Sequence, residues 1–224
     1  MRQKIKENGL SLAFLVMFLL TLAGQAIAGT GQFNDQQLVN GGEPVSVFTY
    51  VTSSDFAVDV AENWQSEYLQ FFLFITMTVW LVQKGSPESK EPKEAGLESD
   101  EKQLVGRHAR PDSPAWARAA GFRLQLYSNS LGLVMGIVFV LSWLAQSVAG
   151  VAAYNSQRLL DLRDPVSWGA YFTSPEFWNR SLQNWQSELL AVLSMVALSI
   201  YLRQRGSPES KPVGAPHSWT GVEG

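Results

Sequence analysis

The chain has 224 residues and a formal net charge of -3, with 46% hydrophobic and 17% charged residues. The apolar residues are bunched, so that Leu10 to Asn34 and Leu124 to Gln157 carry no charge at all. An uncharged, mostly apolar run of about 18 residues or more reads as a membrane span, which excludes an ordinary water-soluble domain. Cysteine is absent, so disulfides, thiolate metal sites and a cysteine nucleophile are excluded too. The near-neutral charge gives no hint of nucleic-acid binding.

The first predicted span covers about residues 10–29. Arg2, Lys4 and Lys6 precede an apolar core, Leu10 to Leu22, and Ala26-Ile27-Ala28 stands before Gly29 in the small-residue pattern of a signal-peptide cleavage site. The same small-residue ending recurs internally at Ser147-Val148-Ala149-Gly150, so the first span is expected to be retained as a membrane helix. Ser53-Ser54-Asp55 then starts a helix that runs unbroken through Asn63-Trp64-Gln65-Ser66-Glu67 into a second span, about 64–83. Gly85 suits a left-handed helix cap, and Pro87 forbids continuation. Ser86-Pro87-Glu88 can restart a short helix.

A polar linker, 91–121, is expected to be flexible in its first half. Ser113-Pro114 reads as another helix start, with Trp116, Arg118, Phe122, Arg123 and Tyr127 suiting a short helix at the inner membrane surface; an irregular loop is the competing reading. The third span covers about 128–150, and Gly132 and Gly136 on it permit close helix packing. Ser174-Pro175-Glu176 supplies an N-cap, a first-turn proline and an acid for the helix that carries the fourth span, about 185–204. Trp178, Leu182, Trp185 and Leu189 share a face of it, as Ala57, Ala61, Trp64 and Tyr68 do on the second, which predicts packing or anchoring. A tail, 212–224, closes the chain.

One offset of 121 residues relates the two halves. Asn63 to Glu67 recurs as Asn184 to Glu188, and Gly85 to Lys90 as Gly206 to Lys211. Tyr50, Thr52, Ser53 and Phe56 recur as Tyr171, Thr173, Ser174 and Phe177; Gln25, Ala28 and Gly29 recur as Gln146, Ala149 and Gly150. An ungapped match this long predicts a tandem duplication, with repeats at 1–90 and 122–211. Each repeat carries two spans, so both have the same orientation. The predicted fold class is therefore an all-α membrane protein with four transmembrane helices, built as two parallel helical-hairpin repeats.

Lysine and arginine set the orientation. Thr30 to Glu67 has none, whereas eight lie between Lys84 and Arg123. The N-terminus, linker and C-terminus are expected in the cytoplasm, with the segments 30–62 and 151–183 facing outward. Trp64, Trp185, Trp80 and Tyr201 are the expected interface anchors.

The candidate site lies at the outer face. Only 16 uncharged residues separate Glu67 from Lys84, and 14 separate Glu188 from Arg203. Such helices reach about 21–24 Å, against a hydrocarbon core of about 30 Å. Asn63 and Glu67 share a helix face, as do Asn184 and Glu188, and Gln25 and Gln146 lie near the outer ends of their own spans. An ionisable residue within a span raises a functional hypothesis, although an acid at the water boundary is cheap. His108 and His217 are isolated, so no metal site is expected. No nucleophile elbow or phosphate-binding glycine loop is present, and no cofactor is expected.

The paired Asn-Trp-Gln-Ser-Glu and Gly-Ser-Pro-Glu-Ser-Lys motifs, with the tail Pro212-Val213-Gly214-Ala215-Pro216-His217, resemble an uncharacterised bacterial integral-membrane family, a domain of unknown function. The resemblance implies a bacterial plasma (inner) membrane protein and carries over no activity and no site. The expected role is non-enzymatic, structural or partner-binding, in contact with the lipid bilayer and with a homo-oligomeric or other membrane protein partner. The alternative is a small proton or cation transporter or channel using Glu67 and Glu188.

Overall fold

The computed structural model describes residues 2–221, without the side chains of Arg2, Lys4 and Lys6. Those expected basic residues, Met1 and the last three residues of the expected tail lie outside the description. Helices α1 (Arg2–Glu7), α2 (Gly9–Val39), α3 (Val47–Val51) and α4 (Ser54–Met77) are followed by an irregular linker with single 3-10 turns at Pro92–Glu94 and Gly106–His108. Then come α5 (Phe122–Ser128), α6 (Ser130–Leu160), α7 (Trp168–Phe172) and α8 (Pro175–Leu198). Among the described residues there is no strand.

Two of these helices, α2 and α6, are long and apolar enough to cross a membrane. Both run well past the expected ends of their spans. At about 1.5 Å per residue, 31 residues reach roughly 46 Å, more than a hydrocarbon core requires. The apolar part therefore ends before the helix does, because nothing at Gly29-Thr30 breaks backbone hydrogen bonding. α4 and α8 differ in the opposite sense. They stop at Met77 and Leu198, short of the expected 83 and 204. The hydroxyls of Thr76, in the last turn of α4, and of Thr78, just past its end, donate to the carbonyls of Phe72 and Phe74, each at 2.7 Å, and Phe74 O also accepts from Thr78 N. Beyond α8 the Arg203 guanidinium collects the carbonyls of Ser199, Ile200 and Leu202, a favourable ending for a helix C-terminus.

The described chain forms two compact units that cut across the expected repeat boundaries, each drawing on both halves of the sequence. One unit runs from the N-terminus to Ala61 and adds Ala145–Phe177; the other is Glu62–Leu144 and the chain from Trp178 onward.

In the first unit two helix–turn–helix connections are built from the same parts. Gly41, at φ +76, ends α2, and Gly42 N–H donates back to Gln37 O at 2.7 Å. Asn34 clamps the far end of the connection, donating to Val45 O at 3.0 Å and accepting from Val45 N at 2.7 Å. Ser46 caps α3 by accepting from Thr49 N. Tyr50, on α3, is buried against Gly29, with Phe33 and Phe56 each 5.5 Å from its ring. Ser53 then accepts from Phe56 N to cap α4, as the sequence predicts. After α6, Leu162 takes the left-handed position at φ +56, and Arg163 N–H donates to Arg158 O at 2.8 Å. Asn155 clamps Val166 through the same two bonds, at 2.9 and 2.8 Å. Ser167 caps α7, Tyr171 packs on Gly150, and Ser174 accepts from Phe177 N to cap α8.

In the second unit α4, α6 and α8 pack together. A Cβ on Gly136 would come within 3.1 Å of the Phe72 ring, so α4 and α6 approach closely where the sequence offers small residues. The expected helix start at Ser113-Pro114 is a turn instead; Ser113 Oγ accepts from Arg110 N, and the short helix begins only after Gly121. The expected restart at Ser86-Pro87-Glu88 is also a turn, closed by Ser86 Oγ accepting from Glu88 N. Gly85 and Gly206 do adopt left-handed φ, at +91 and +80, but lie beyond the helix ends and so redirect the chain without capping a helix.

Candidate functional site

The Asn-Trp-Gln-Ser-Glu segment of α4 meets that of α8 in the second unit, through an unequal use of identical residues. Gln65 is fully buried, and its Oε1 accepts from Trp185 Nε1 at 2.6 Å. Its Nε2 has no partner among the described residues. Ser66 is also buried and donates to Asn63 O at 2.9 Å. Their matches on α8, Gln186 and Ser187, are exposed. An aromatic group gathers around Trp185, the partner of Gln65. The Trp143 ring lies 5.8 Å from those of Trp178 and Trp185 and 5.9 Å from Phe139, and its Nε1 donates to the buried Ser181 Oγ at 3.3 Å. Beside it, Arg180 Nε donates to Glu62 Oε2 at 2.7 Å, with side-chain exposures of 32% and 17%. Partial burial makes such a pair worth more than a surface ion pair, at a desolvation cost.

Of the expected cluster, Asn63, Glu67, Asn184 and Glu188 belong to this unit. Asn63 and Glu67 are exposed and Asn184 and Glu188 half-buried. The Glu67 charge acts on Glu188, so the two carboxylates are electrostatic neighbours. Gln25 and Gln146 belong to the other unit. Gln25 is half-buried, whereas Gln146 is fully buried with neither amide atom partnered among the described residues. Of the expected anchors, Trp64, Trp80 and Tyr201 are exposed and Trp185 is drawn inward by Gln65.

Sequence reasoning missed Gln65, Trp143 and the Glu62–Arg180 pair. A signal for Gln65 existed. It continues the helix face of Val58 and Ala61, both buried, at spacings of seven and four.

A second polar assembly joins the two Gly-Ser-Pro-Glu-Ser-Lys copies. Lys211 is 1% exposed, and its ammonium donates to the carbonyls of Gly85, Pro216, His217 and Trp219. Burial, then the charge of Arg203, lowers its pKa below the ordinary lysine value. Gly85 N donates to Thr220 Oγ1 at 2.9 Å, and Gly221 N to Ser86 O at 3.1 Å, so the C-terminal tail straps both copies. Glu88 has its pKa raised by burial, then by the charge of Glu209, its match in the other copy. Among the described residues no three acidic or histidine side chains gather to hold a metal. His108 Nε2 accepts from Arg107 Nε, and His217 Nδ1 lies 3.0 Å from Ile200 O.

These elements define an all-helical chain carrying two helices long and apolar enough to span a membrane. The chain belongs to the family described as a domain of unknown function, DUF6766, which matches residues 1–222. No curated protein and no solved structure matches it.

Proposed function

We propose that this is a non-enzymatic, multi-pass protein of the bacterial plasma membrane, with a structural or partner-binding role. In this reading two parallel hairpins, related by tandem duplication, cross the bilayer four times. The observation that carries it is the bareness of the apolar helices: the most apolar windows of α2 and α6 are 0% and 17% buried. A core helix of a water-soluble protein would cover such a surface, and each apolar Å² left in water costs roughly 25 cal/mol. The matched clamps, caps and tyrosine packings at one offset of 121 residues support the duplication.

The return crossings are shorter. From Tyr68 to Met77 α4 rises about 15 Å; a turn at Thr78 to Trp80 follows, and Leu81 to Gln83 add about 10 Å at about 3.3 Å per residue. Partners for its backbone are at hand: Gly96 N donates to Val79 O, and Gln83 N donates to Ser89 Oγ. The lack of cations between Thr30 and Glu67, against eight in the central segment, favours cytoplasmic termini.

The chain has no cysteine, so single cysteines give an unambiguous topology test. In intact cells an impermeant maleimide labels Ser46→Cys and Ser167→Cys, whereas Ser99→Cys labels only after permeabilisation. Labelling of Ser99→Cys in intact cells would refute the topology. A second reading, proton or cation passage, is supported by the meeting of the two Asn-Trp-Gln-Ser-Glu segments, each of which ends in a carboxylate, Glu67 and Glu188. Its test is flux into liposomes. The reading requires flux in the wild type that disappears in a folded Glu67→Gln/Glu188→Gln variant.

A further inference from the structure

We propose that an open groove beyond the end of α4 holds the phosphoethanolamine headgroup of a phospholipid. This inference rests on the membrane reading above. The groove, about 660 Å³, is lined chiefly by Thr78, Glu88, Lys90, Lys93, Glu94 and Thr220. Its charges are of both signs and unequally satisfied. Lys90 is held by Glu98 at 3.2 Å and by Gly96 O, and Glu94 by Lys102 at 2.9 Å. Lys93 is 82% exposed, with only a 3.4 Å contact to the exposed Glu91, so it remains available to a phosphate. Glu88 is half-buried, and its carboxylate has no hydrogen bond or ion pair among the described residues. The charge of a second carboxylate, Glu209, acts on it as well. A half-buried carboxylate that lines a groove and has no partner of its own is a place for a cation.

A ligand carrying only negative charge would meet Glu88, Glu91 and Glu94. A bare metal ion is disfavoured, since these carboxylates do not converge into a ligand set. A zwitterion satisfies both sides: its phosphate lies toward Lys93 and its primary ammonium donates to Glu88. The position suits such a group. Thr78 follows the last residue of α4, and exposed Trp80 lies just beyond. In the membrane reading this is the inner boundary, where tryptophans and headgroups meet. Thr220 brings the C-terminal strap into the groove wall.

The test uses the full-length protein in mild detergent, offered phosphatidylethanolamine, phosphatidylcholine and phosphatidylglycerol in equal amounts, with bound lipid counted by native mass spectrometry. Phosphatidylethanolamine is retained about tenfold over the others, the scale of a charge-assisted hydrogen bond. Phosphatidylcholine has the charge but no N–H to donate, and phosphatidylglycerol has no cation. Glu88→Gln abolishes the preference, whereas Glu101→Gln, away from the groove, preserves it; circular dichroism confirms that both fold. Equal retention of the three lipids by the wild type, or an undiminished preference in Glu88→Gln, would overturn the proposal. Equally tight binding of soluble glycerophosphoethanolamine would reassign the site to the free headgroup and overturn the lipid assignment. Failure of the membrane reading shows separately, as protein released into the supernatant by alkaline carbonate washing of membranes.

Discussion

The close approach of Tyr50 to Gly29 makes a prediction with an internal sign change. A Cβ built on Gly29 would lie 2.5 Å from the tyrosine oxygen and 2.8–2.9 Å from two ring carbons. Tyr50 is 4% exposed and enclosed by Phe33 and Phe56, so it cannot swing aside freely. Overpacking of this kind costs about 1–3 kcal/mol. Alanine also gains about 1 kcal/mol over glycine inside a helix, so Gly29→Ala is neutral at best and destabilising by up to about 2 kcal/mol. In a Tyr50→Ala background the obstruction is gone, and Gly29→Ala becomes stabilising. Gly31, two residues along α2, has nothing within 4 Å of its virtual Cβ, so Gly31→Ala stabilises in either background. Thermal unfolding of the detergent-solubilised variants, followed by helical circular dichroism, measures all five proteins against wild type. A Gly29→Ala effect that is the same with and without Tyr50 would refute the packing argument.

Three further expectations follow from local geometry. Leu162 is 96% exposed and sits at φ +56 where α2 has Gly41; relieving that conformation makes Leu162→Gly stabilising by about 1 kcal/mol, read as a raised unfolding temperature. Asn34→Ala and Asn155→Ala each remove a two-bond clamp and cost about 1–3 kcal/mol, and urea titration showing no loss in either would contradict the clamp. Glu88 has a raised pKa when folded, so the native state holds its proton more tightly than the unfolded chain does. Stability is therefore gained as pH falls through that raised value, until the ordinary value near 4.5 is passed. Glu88→Gln flattens the profile in this window, and an unchanged profile would count against the buried, repelled carboxylate.

Local rules made parts of this fold legible. Ser53 and Ser174 cap their helices as their sequence context predicts, because a cap depends on three or four neighbouring residues. The C-terminal ends of α4 and α8 were not legible. Hydropathy continues past Met77 and Leu198, whereas carbonyls at these ends are also taken up by threonine hydroxyls and by the Arg203 guanidinium, which hydropathy does not report. The pairing of Tyr50 with Gly29 was hidden for another reason. Both residues stand out by their matches at Tyr171 and Gly150, yet contact across a connection is set by the clamp at Asn34, which composition does not single out. In the candidate site the charged Glu67 and Glu188 drew the reading toward residues that lie at or near the surface. The buried polar residues where α4 meets α8 include the neutral Gln65, whose face was marked by Val58 and Ala61.

Identical residues need not make identical sites, and the two motif lysines show why. Lys90 and Lys211 occupy matching positions, and each ammonium requires oxygen ligands. The chain following Lys90 supplies Gly96 O and the Glu98 carboxylate, with both charged side chains partly exposed at 28% and 26%. Among the described residues, the tail following Lys211 gives its ammonium only the carbonyls of Pro216, His217 and Trp219, to which Gly85 O is added, and the lysine is buried. An exposed ion pair contributes about 0–1 kcal/mol and weakens in salt. Hydrogen bonds from a buried charge contribute about 1.5–3 kcal/mol, and their loss leaves carbonyls unpaired. Lys211→Met therefore destabilises more than Lys90→Met, and only the Lys90 effect shrinks between about 0.1 and about 1 M salt, which takes the Debye length from about 10 to about 3 Å. Lys211→Met also loosens the strap, so limited proteolysis cuts the tail near Trp219 sooner than in Lys90→Met. Equal unfolding temperatures and equal cleavage rates for the two variants would show that the carbonyl cage contributes no more than the surface pair.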